Sequence, residues 1–328
     1  MEKLGFGLIG AGGIGIHHAR RLVAQPRARL VALTDSDAGA AESASRELGV
    51  ESVALDALLA RDDIRAVLVG TPSFAHYDVT LAAIRAGKHV FLEKPMARTV
   101  RECDDLIAAA DAAGCRLCVG QVLRLMPPFL RVREMVGSGR FGRPMVIETS
   151  RLVWASWTQP WRQRRDLAWG MLHESNIHEL DFMRSICGEA VEVDAKLERL
   201  VRMEADYEDT ALVVVRYRSG ALGLMRGSYA TTLPTFEGRI ICERGTIAYD
   251  WRRLRIEYRM ADEVESRVVE LSQSDFEDAY AWEQRSFVDW VIDGTPPVIT
   301  AADGRAAVEL CQAAYLSAEC GGPVRLPL

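Results

Sequence analysis

Six residues near the start of the chain, Gly10 to Gly15, have the types and spacing needed to bind phosphate groups. They follow an apolar run, residues 4–9, and precede a helix-like stretch, residues 17–24. Glycines at this spacing let the chain turn tightly and bring its backbone close to a pyrophosphate, while the free N–H groups of the helix face the phosphates. The residues that we assign to this contact are Gly10, Gly12, Gly13, Ile14 and Gly15.

Asp35 lies at the end of the next strand-like stretch, residues 29–34, where an acid can accept hydrogen bonds from an adenosine ribose. Its carboxylate would repel the 2′-phosphate of NADP, and residues 36–39 contain no base to bind that phosphate. A chance glycine-rich turn explains this order of strand, glycines, helix, strand and acid poorly. The sequence therefore predicts NAD as the cofactor, in preference to NADP.

Lys94 is the first residue suited to proton transfer, in Glu93-Lys94-Pro95 after the strand-like residues 89–92. A lysine at the end of a central strand, beside an oxidised nicotinamide, would have a lowered pKa and could exchange a proton with a substrate hydroxyl. The proline restricts the backbone of Lys94, and a cis bond there would fix the direction of its side chain. A lysine considered alone is more often a solvated surface residue.

A second group of polar residues lies in a predicted helix, residues 171–187. On an α-helix Glu174, His178 and Asp181 share one face, so His178 could take a proton from an alcohol while a carboxylate fixes its tautomer. His173 and His178 do not share a face, which excludes the zinc arrangement of H-E-x-x-H, and we predict no metal. A polar helix face with ordinary pairing explains the spacing equally well.

Aromatic and basic residues are concentrated in a predicted loop, residues 154–169. Rigid aromatic faces suit the C–H side of a pyranose or cyclitol ring, and arginines suit its hydroxyls or an acidic group. Packing or a subunit interface is the alternative, and we expect it for at least two of the four tryptophans in the loop. From this region and from a predicted pocket mouth after residue 121, we assign to the substrate Arg124, Trp154, Trp161 and Arg162.

The elements that position these residues divide the chain at about residue 122. Before it, strands alternate with helices that end at Gly87 and Gly114, which predicts a parallel sheet with helices on both faces. Ligands collect at the carboxyl ends of such strands, where Thr71-Pro72, Glu93 to Pro95 and Gln121 fall. After it, seven stretches alternate apolar and polar residues, which predicts a sheet with one packed face.

Composition narrows the class of protein. The 328 residues carry a formal net charge of −6, which gives no electrostatic reason to expect nucleic acid or an anionic membrane as partner. No apolar run approaches the roughly 20 residues that span a bilayer. The seven cysteines form no dense framework, so we expect a cytoplasmic protein. Cys115 and Cys118 have C-x-x-C spacing but are expected to be buried structural thiols.

The chain resembles the Gfo/Idh/MocA oxidoreductases over nearly its whole length. The resemblance rests on the glycine loop with His18, Thr71-Pro72 with His76, Glu93-Lys94-Pro95, residues 138–144 and the helix with Glu174 and His178. It implies an α/β protein: a Rossmann NAD-binding domain, residues 1–122, and a C-terminal α/β domain, residues 123–328, with a large, mainly antiparallel open sheet. The resemblance further assigns to the cofactor Thr71, Pro72, His76, Glu93, Lys94 and Gln121.

The resemblance also implies hydride transfer between the nicotinamide and a sugar, cyclitol or related polyol. Lys94 and His178 match the family's catalytic lysine and histidine, with Glu174 where many members have Asp and Asn176 where glycine is usual. Both differences bear on the shape of the pocket, and Lys94, Glu174 and His178 are expected to contact substrate. The open sheet implies a homodimer or homotetramer. Two other functions stay open, a non-catalytic dinucleotide sensor and an oxidoreductase of nucleotide-linked sugars.

Overall fold

The computed structural model describes residues 3–157 and 159–328, which form two compact units. The first contains the chain up to Gln121 together with Asp278–Arg305, and the second contains Val122–Glu277 and Ala306–Leu328. Residues 1, 2 and 158 belong to the predicted domain 1–122 and the predicted loop 154–169, and they lie outside the described residues.

The first unit begins with alternating strands and helices, as the sequence predicts. In chain order these elements are β1 (Leu4–Ile9), α1 (Gly13–Ala24), β2 (Ala28–Thr34), α2 (Ala38–Leu48), β3 (Glu51–Ser52), α3 (Leu55–Leu59), β4 (Ala66–Val69), α4 (His76–Arg85), β5 (His89–Glu93), α5 (Val100–Ala113) and β6 (Leu117–Gly120). Gly87 and Gly114 adopt positive φ at the ends of α4 and α5, which confirms them as stop signals.

These six strands form one parallel sheet in the order β3-β2-β1-β4-β5-β6. Every residue of β1 and β4 is buried, as expected for strands covered on both faces. The strand order reverses between β1 and β4, and such a reversal opens a crevice at the carboxyl ends of the strands. The glycine loop after β1 and Thr71 after β4 therefore lie at the switch point of the sheet.

The second unit is built on a larger sheet. Its elements, in chain order, are α6 (Pro127–Gly137), β7 (Pro144–Trp154), α7 (Arg165–Ala168), α8 (Ile177–Cys187), β8 (Ala190–Glu198), β9 (Thr210–Tyr217), β10 (Leu222–Ser228), β11 (Ala230–Cys242), β12 (Gly245–Asp250), β13 (Arg255–Met260) and β14 (Arg267–Glu270).

The nine-stranded sheet has the order β14-β13-β12-β11-β7-β10-β9-β8-β15, where β15 is Val324–Arg325. Its pairs are antiparallel except for β7 with β10. Buried and exposed residues alternate along β9, so one face packs against the unit's interior and the other is open. The predicted fold class, a parallel Rossmann sheet and a mainly antiparallel open sheet, is confirmed.

Two long helices lie between β14 and β15. They are α9 (Ala279–Asp293) and α10 (Ala301–Cys320), and α9 belongs to the first unit. Phe287 of α9 packs edge to face on Phe6 and Phe91, with ring centroids 6.1 and 5.8 Å apart, and Arg27 pairs with Asp293. The predicted division into residues 1–122 and 123–328 differs from this one. Helix α9 joins the first unit because its apolar face packs on the parallel sheet.

All seven cysteines are free, and Cys115 and Cys118 are buried, which confirms them as structural thiols. Burial raises the pKa of both thiols, so they are poor nucleophiles. Among the helices that the structure describes, none combines the length and the apolar character needed to cross a bilayer.

Candidate active site

The glycine loop is closely packed on one side. Gly10 has φ of +93°, and a Cβ there would lie 2.6 Å from the Thr71 nitrogen. A Cβ on Gly15 would lie 1.9 Å from the Gly10 carbonyl oxygen, which no side chain can tolerate. Glycine is therefore required at both positions, because the backbone of the loop turns tightly and α1 starts against it.

The other side of the loop is open. A Cβ on Gly12 or Gly13 would meet no atom within 4 Å. Helix α1 begins at Gly13 without a side-chain cap, and its first backbone bond runs from the Ile16 N–H to the Gly12 carbonyl. The N–H groups of the first turn, at Gly13, Ile14 and Gly15, have no acceptor within the helix. They suit a pyrophosphate, which fits the predicted cofactor.

Asp35 lies at the end of β2 and is held by the backbone. Its Oδ2 accepts from the Ala11 N–H at 2.6 Å, and its Oδ1 accepts from the Asp37 N–H at 2.8 Å. An ionised carboxylate has about four acceptor positions, so two remain for the hydroxyls of an adenosine ribose. The carboxylate is thereby fixed beside the glycine loop, where the sequence predicts it.

Polar side chains without partners lie at two further strand ends. Thr71 Oγ1, after β4, is buried and has no hydrogen-bond partner in the described part of the chain, and the same holds for both polar atoms of the Gln121 amide, after β6. Buried polar groups are rarely left unsatisfied, and a bound ligand is one explanation. These two residues therefore fit the cofactor assignment, and Pro72 lies beside Thr71 in the same loop.

His76 bonds to the protein backbone. Its Nδ1 lies 2.6 Å from the Pro95 carbonyl oxygen, and its Nε2 lies 3.0 Å from the Thr71 carbonyl oxygen. The imidazole thus joins the loops after β4 and β5. This placement favours a role in holding those loops over the predicted direct contact with the cofactor.

Lys94 and Glu93, neighbours in the chain, differ in how deeply their side chains are buried. Lys94 is half-buried, and the Lys94–Pro95 bond is cis. Glu93 is buried, its Oε1 accepts from His18 Nε2 at 2.5 Å, and its Oε2 accepts from the Lys94 backbone N–H at 3.0 Å. Burial opposes ionisation of Glu93, but the hydrogen bond from His18, with the nearby Lys94 and His76, leaves its pKa below the ordinary value. Glu93 is therefore placed to position Lys94, and the predicted contact with the cofactor is not favoured.

In the second unit, the predicted helix 171–187 is not α-helical throughout. Residues Leu172–Asn176 form a π-helix with an Ile177 N–H to Leu172 carbonyl bond, and α8 follows. The spacing argument assumed α-helical periodicity across Glu174 and His178, and a π-turn changes the angle between them. Single π-turns are frequent at functional sites. No feature of the local sequence indicated this one.

Glu174 faces a basic residue from the loop. Its Oε2 accepts from Arg162 at 2.5 Å, while the Tyr207 hydroxyl donates to the Arg162 carbonyl oxygen. His178 is half-buried near the start of α8. A cavity of about 340 Å³ brings together Trp154, Arg162 and Glu174, three of the predicted substrate residues. Its remaining walls include three aromatic residues that spacing did not single out for this role, Trp157, Tyr207 and Tyr229.

Asp181 and Arg124 differ from their predicted roles. Both are buried, and the Arg124 guanidinium donates two hydrogen bonds to the Asp181 carboxylate, each 2.6 Å long. Arg124 is thus bonded inside the unit rather than exposed at a pocket mouth. The Asp181 carboxylate neutralises the Arg124 guanidinium. Arg124 lies 57 residues away in the chain, so helix spacing alone could not reveal this pair.

Asn176 is accommodated by a glycine on the sheet. Its amide is buried and donates to Glu179 Oε2 at 3.0 Å, and a Cβ on Gly227 would lie 2.3 Å from the Asn176 oxygen. Arg151 pairs with the other oxygen of Glu179 at 2.6 Å. Even so, burial is the largest influence on Glu179 and raises the pKa of its carboxyl. The Asn176 side chain therefore fills space against β10.

The four tryptophans have separate environments. Trp169 is buried and packs edge to face on His173, and Trp157 packs on Tyr207 and Tyr229. Trp161 lies against the Arg162 guanidinium, 4.6 Å from the ring centroid. Trp154 is exposed beside Arg202. Packing roles for Trp157 and Trp169 agree with the expectation for at least two of the four.

Comparison with known proteins gives matches over most of the chain. Residues 4–121 match the model of the oxidoreductase family with an NAD-binding Rossmann fold, GFO_IDH_MocA, and residues 129–248 match the GFO/IDH/MocA C-terminal domain. The inositol 2-dehydrogenase of Rhizobium meliloti (strain 1021) is 32% identical over 95% of this chain and 96% of its own length. The myo-inositol 2-dehydrogenase of Thermotoga maritima is 31% identical over 98% of both chains.

A solved structure has the same architecture. The crystal structure of GenD2 from gentamicin A biosynthesis, in complex with NAD, superposes with a TM-score of 0.89 at 27% identity. The match covers 100% of this chain and 97% of that one. Fold and site together define an NAD-dependent oxidoreductase. The chain belongs to the Gfo/Idh/MocA family, which confirms the resemblance and the prediction of NAD as cofactor.

Proposed function

We propose that the chain oxidises a secondary alcohol of a sugar, cyclitol or related polyol with NAD, or catalyses the reverse reduction. The observation that carries the proposal is the cavity walled by tryptophan and tyrosine rings and by the Arg162–Glu174 ion pair. Aromatic walls suit the C–H faces of a ring, and a charged pair suits its hydroxyls. The inositol dehydrogenases among the relatives support this substrate class.

In this proposal His178 removes the hydroxyl proton, with assistance from Lys94. When bound, NAD would supply the hydride acceptor for the same carbon. The Gly13 to Gly15 N–H groups would bind the pyrophosphate, and Asp35 would bind the adenosine ribose. Glu174 orients the substrate hydroxyls, with its charge balanced by Arg162. A positioned acid or base contributes about 10²–10⁴-fold to the rate.

The test is NADH formation by the purified protein on a panel of aldoses, cyclitols, sugar acids and anhydrosugars. His178→Ala and Lys94→Ala should each lose most turnover while NAD still binds. Arg101→Ala, which removes an exposed basic residue of α5, is the control and should keep full turnover. Near-normal turnover in either active-site variant contradicts its role. If no compound of the panel turns over while NAD still binds, the result favours the two other functions, an oxidoreductase of nucleotide-linked sugars or a dinucleotide sensor.

We further propose that the chain works in the cytoplasm as a homodimer or homotetramer, with a second copy seated on the open sheet face. This face joins exposed apolar residues of β9 and β10, among them Leu212, Val214 and Leu222, to charges of both signs. The charged part is a depression of about 380 Å³ whose lining includes Glu148, Arg226, Glu237, Arg239, Asp250, Arg253, Arg255 and Glu257. Mixed charges of this kind allow a self-complementary contact.

Analytical ultracentrifugation tests the assembly. Val214→Asp should shift the protein toward smaller species, because it places a charge in the apolar part of the face. Val264→Asp changes an exposed valine in the turn after β13 and should leave the mass unchanged. A wild-type protein that sediments as a monomer at all concentrations overturns this part of the proposal.

A further inference from the structure

The first unit contains a buried polar cluster that the proposed reaction does not use directly. Glu93, at the end of β5, accepts from His18 Nε2 and from the Lys94 backbone N–H. Glu283 of α9 joins them: one ligand atom from each of His18, Glu93 and Glu283 lies within 4.8 Å of the other two. All three side chains are buried.

Gln284 fixes the protonation of His18. The Gln284 amide nitrogen lies 2.7 Å from His18 Nδ1 and 3.1 Å from the His18 carbonyl oxygen. A carbonyl oxygen only accepts, so the amide must present its N–H groups on this side, and Nδ1 accepts the other one. The imidazole proton therefore lies on Nε2, where it is donated to Glu93.

Glu283 has no such donor. Both of its carboxyl oxygens are buried, and no donor among the residues that the structure describes is bonded to them. Glu283 is only 1% exposed. A Cβ on Gly120, at the end of β6, would lie 3.4 Å from Glu93 Oε1 and 3.7 Å from Glu283 Oε1. Two carboxyl groups thus share the space that the glycine leaves open.

Two buried carboxyl groups this close cannot both be ionised, because each disfavours the charge of the other. Glu93 receives two hydrogen bonds and remains the anion, while burial, the charge of Glu93 and that of Asp278 raise the pKa of Glu283 well above its ordinary value. A cation is the other way to neutralise the pair. The His18–Glu93 contact of 2.5 Å disfavours it, since the two atoms already share a proton.

We propose that Glu283 is a positioning residue: as a neutral acid it donates its proton toward the Glu93 carboxylate, which lies within 4.8 Å, and so holds the anion that binds the Lys94 N–H and sets the direction of Lys94. The inference rests on the proposed function, in which Lys94 exchanges a proton with substrate. It extends that function to α9, 189 residues further along the chain. Ionisation of Glu283 would set two negative charges against each other and release Glu93 from this arrangement.

Other titratable groups face the same cluster. Asp278, at the start of α9, and Glu93 both act on Glu283, and the Cys118 thiol on β6, whose pKa is raised first by burial, lies near it. His18 approaches from α1, while Lys94 and His76 act on Glu93. Because several groups titrate nearby, a pH effect on activity is attributed to Glu283 only if substitution of Glu283 removes it. The shape of the wild-type pH profile alone does not identify the group.

Infrared difference spectroscopy tests the protonation without any turnover. Wild type minus Glu283→Gln at neutral pH should contain the carbonyl band of a protonated carboxylic acid, which disappears when the pH is raised. Absence of that band overturns the proposal. Elemental analysis is run on the same samples: a stoichiometric metal that Glu283→Gln releases also overturns it, in favour of a cation site.

Kinetics test the positioning. Glu283→Leu, which has no proton to donate, should lower kcat about tenfold or more with NAD affinity unchanged, since small misplacements of a reacting group are costly. Glu283→Gln keeps a donor and should restore kcat, and it should remove the loss of activity at high pH. Glu42→Leu changes an exposed glutamate of α2 and is the control. Wild-type kcat in a folded Glu283→Leu protein overturns the positioning role.

A second readout separates this inference from the proposed function. If no substrate turns over, the rate at which a small acylating reagent modifies Lys94, followed by mass spectrometry, replaces kcat. Glu283→Leu should change that rate and Glu283→Gln should not. Equal rates in all three proteins overturn the inference, whereas a change in Glu283→Leu alone supports it even where the substrate assignment has failed.

Discussion

Two glycines of the same loop should respond differently to one added methyl group. A Cβ at Gly13 meets no protein atom within 4 Å, whereas a Cβ at Gly15 lies 1.9 Å from the Gly10 carbonyl oxygen. Gly13 begins α1 on the side where we place the pyrophosphate. Gly13→Ala should therefore impair cofactor binding without harming the fold, and Gly15→Ala should impair both.

The magnitudes follow from these contacts. At Gly15 the backbone must move by about 1 Å, and such overpacking costs about 1–3 kcal/mol. With about 2–4 °C per kcal/mol, the Tm should fall by about 2–12 °C. At Gly13 alanine is a better helix former than glycine, so the Tm should hold or rise. Its methyl group obstructs the phosphate, and we expect Kd for NAD to rise about 10–100-fold, equivalent to about 1.4–2.8 kcal/mol.

The assay pairs the Tm of the cofactor-free protein with isothermal titration of NAD. Gly137→Ala is the matched control, because a Cβ there also meets nothing within 4 Å and the residue lies at the end of α6. It should change neither quantity appreciably. Wild-type affinity in Gly13→Ala would refute the placement of the pyrophosphate, and a wild-type Tm in Gly15→Ala would refute the argument from close packing.

Three further predictions follow from buried or fixed charges. Arg124→Met leaves Asp181 buried without its cation and should destabilise the second unit by about 3–5 kcal/mol, while the double variant with Asp181→Leu should recover most of the loss in Tm. Asp35→Ser should lower the preference for NAD over NADP in kcat/KM about tenfold, because the repelling carboxylate is gone. The raised pKa of Glu283 means that the Glu283 carboxyl binds its proton more tightly in the folded protein than in the unfolded chain. Protonation of Glu283 therefore stabilises the fold fully below the ordinary pKa of 4.5, and this contribution is lost as the pH rises through the folded-state pKa. The Tm of wild type relative to Glu283→Gln should thus fall as the pH rises above the ordinary value of 4.5, and a constant difference would contradict the assignment.

Much of the fold is encoded in short segments. The apolar run of β1, the glycines after it and the alternation along β9 each depend on neighbours a few residues apart, so periodicity predicts them. The two-residue strand β3 was not predicted, because two exposed residues carry no pattern. The return of α9 to the parallel sheet was not predicted either, since nothing in its own periodicity says which sheet it covers.

The candidate site divides in the same way. Residue types alone indicated the glycine loop, Asp35, Lys94 and the helix with His178. Residue types did not indicate the hydrogen-bond partners. Asp181 was expected to act on His178, but it binds Arg124. Helix spacing cannot show which of two partners a carboxylate binds. The π-turn at Leu172–Asn176, with its Ile177 N–H to Leu172 carbonyl bond, was not predicted either, because residue spacing assumes a regular α-helix.

By itself the sequence determined the class of fold, the cofactor and the residue types available for proton transfer, because these depend on local spacing and on side-chain chemistry. Tertiary structure decided which carboxylate is ionised and what each charged group faces. Glu93 accepts a hydrogen bond from His18 at 2.5 Å, whereas Glu283 is buried with no donor to its carboxyl oxygens among the described residues. A carboxyl group takes its charge state from burial and from neighbours distant in the chain, and only folding brings those neighbours together.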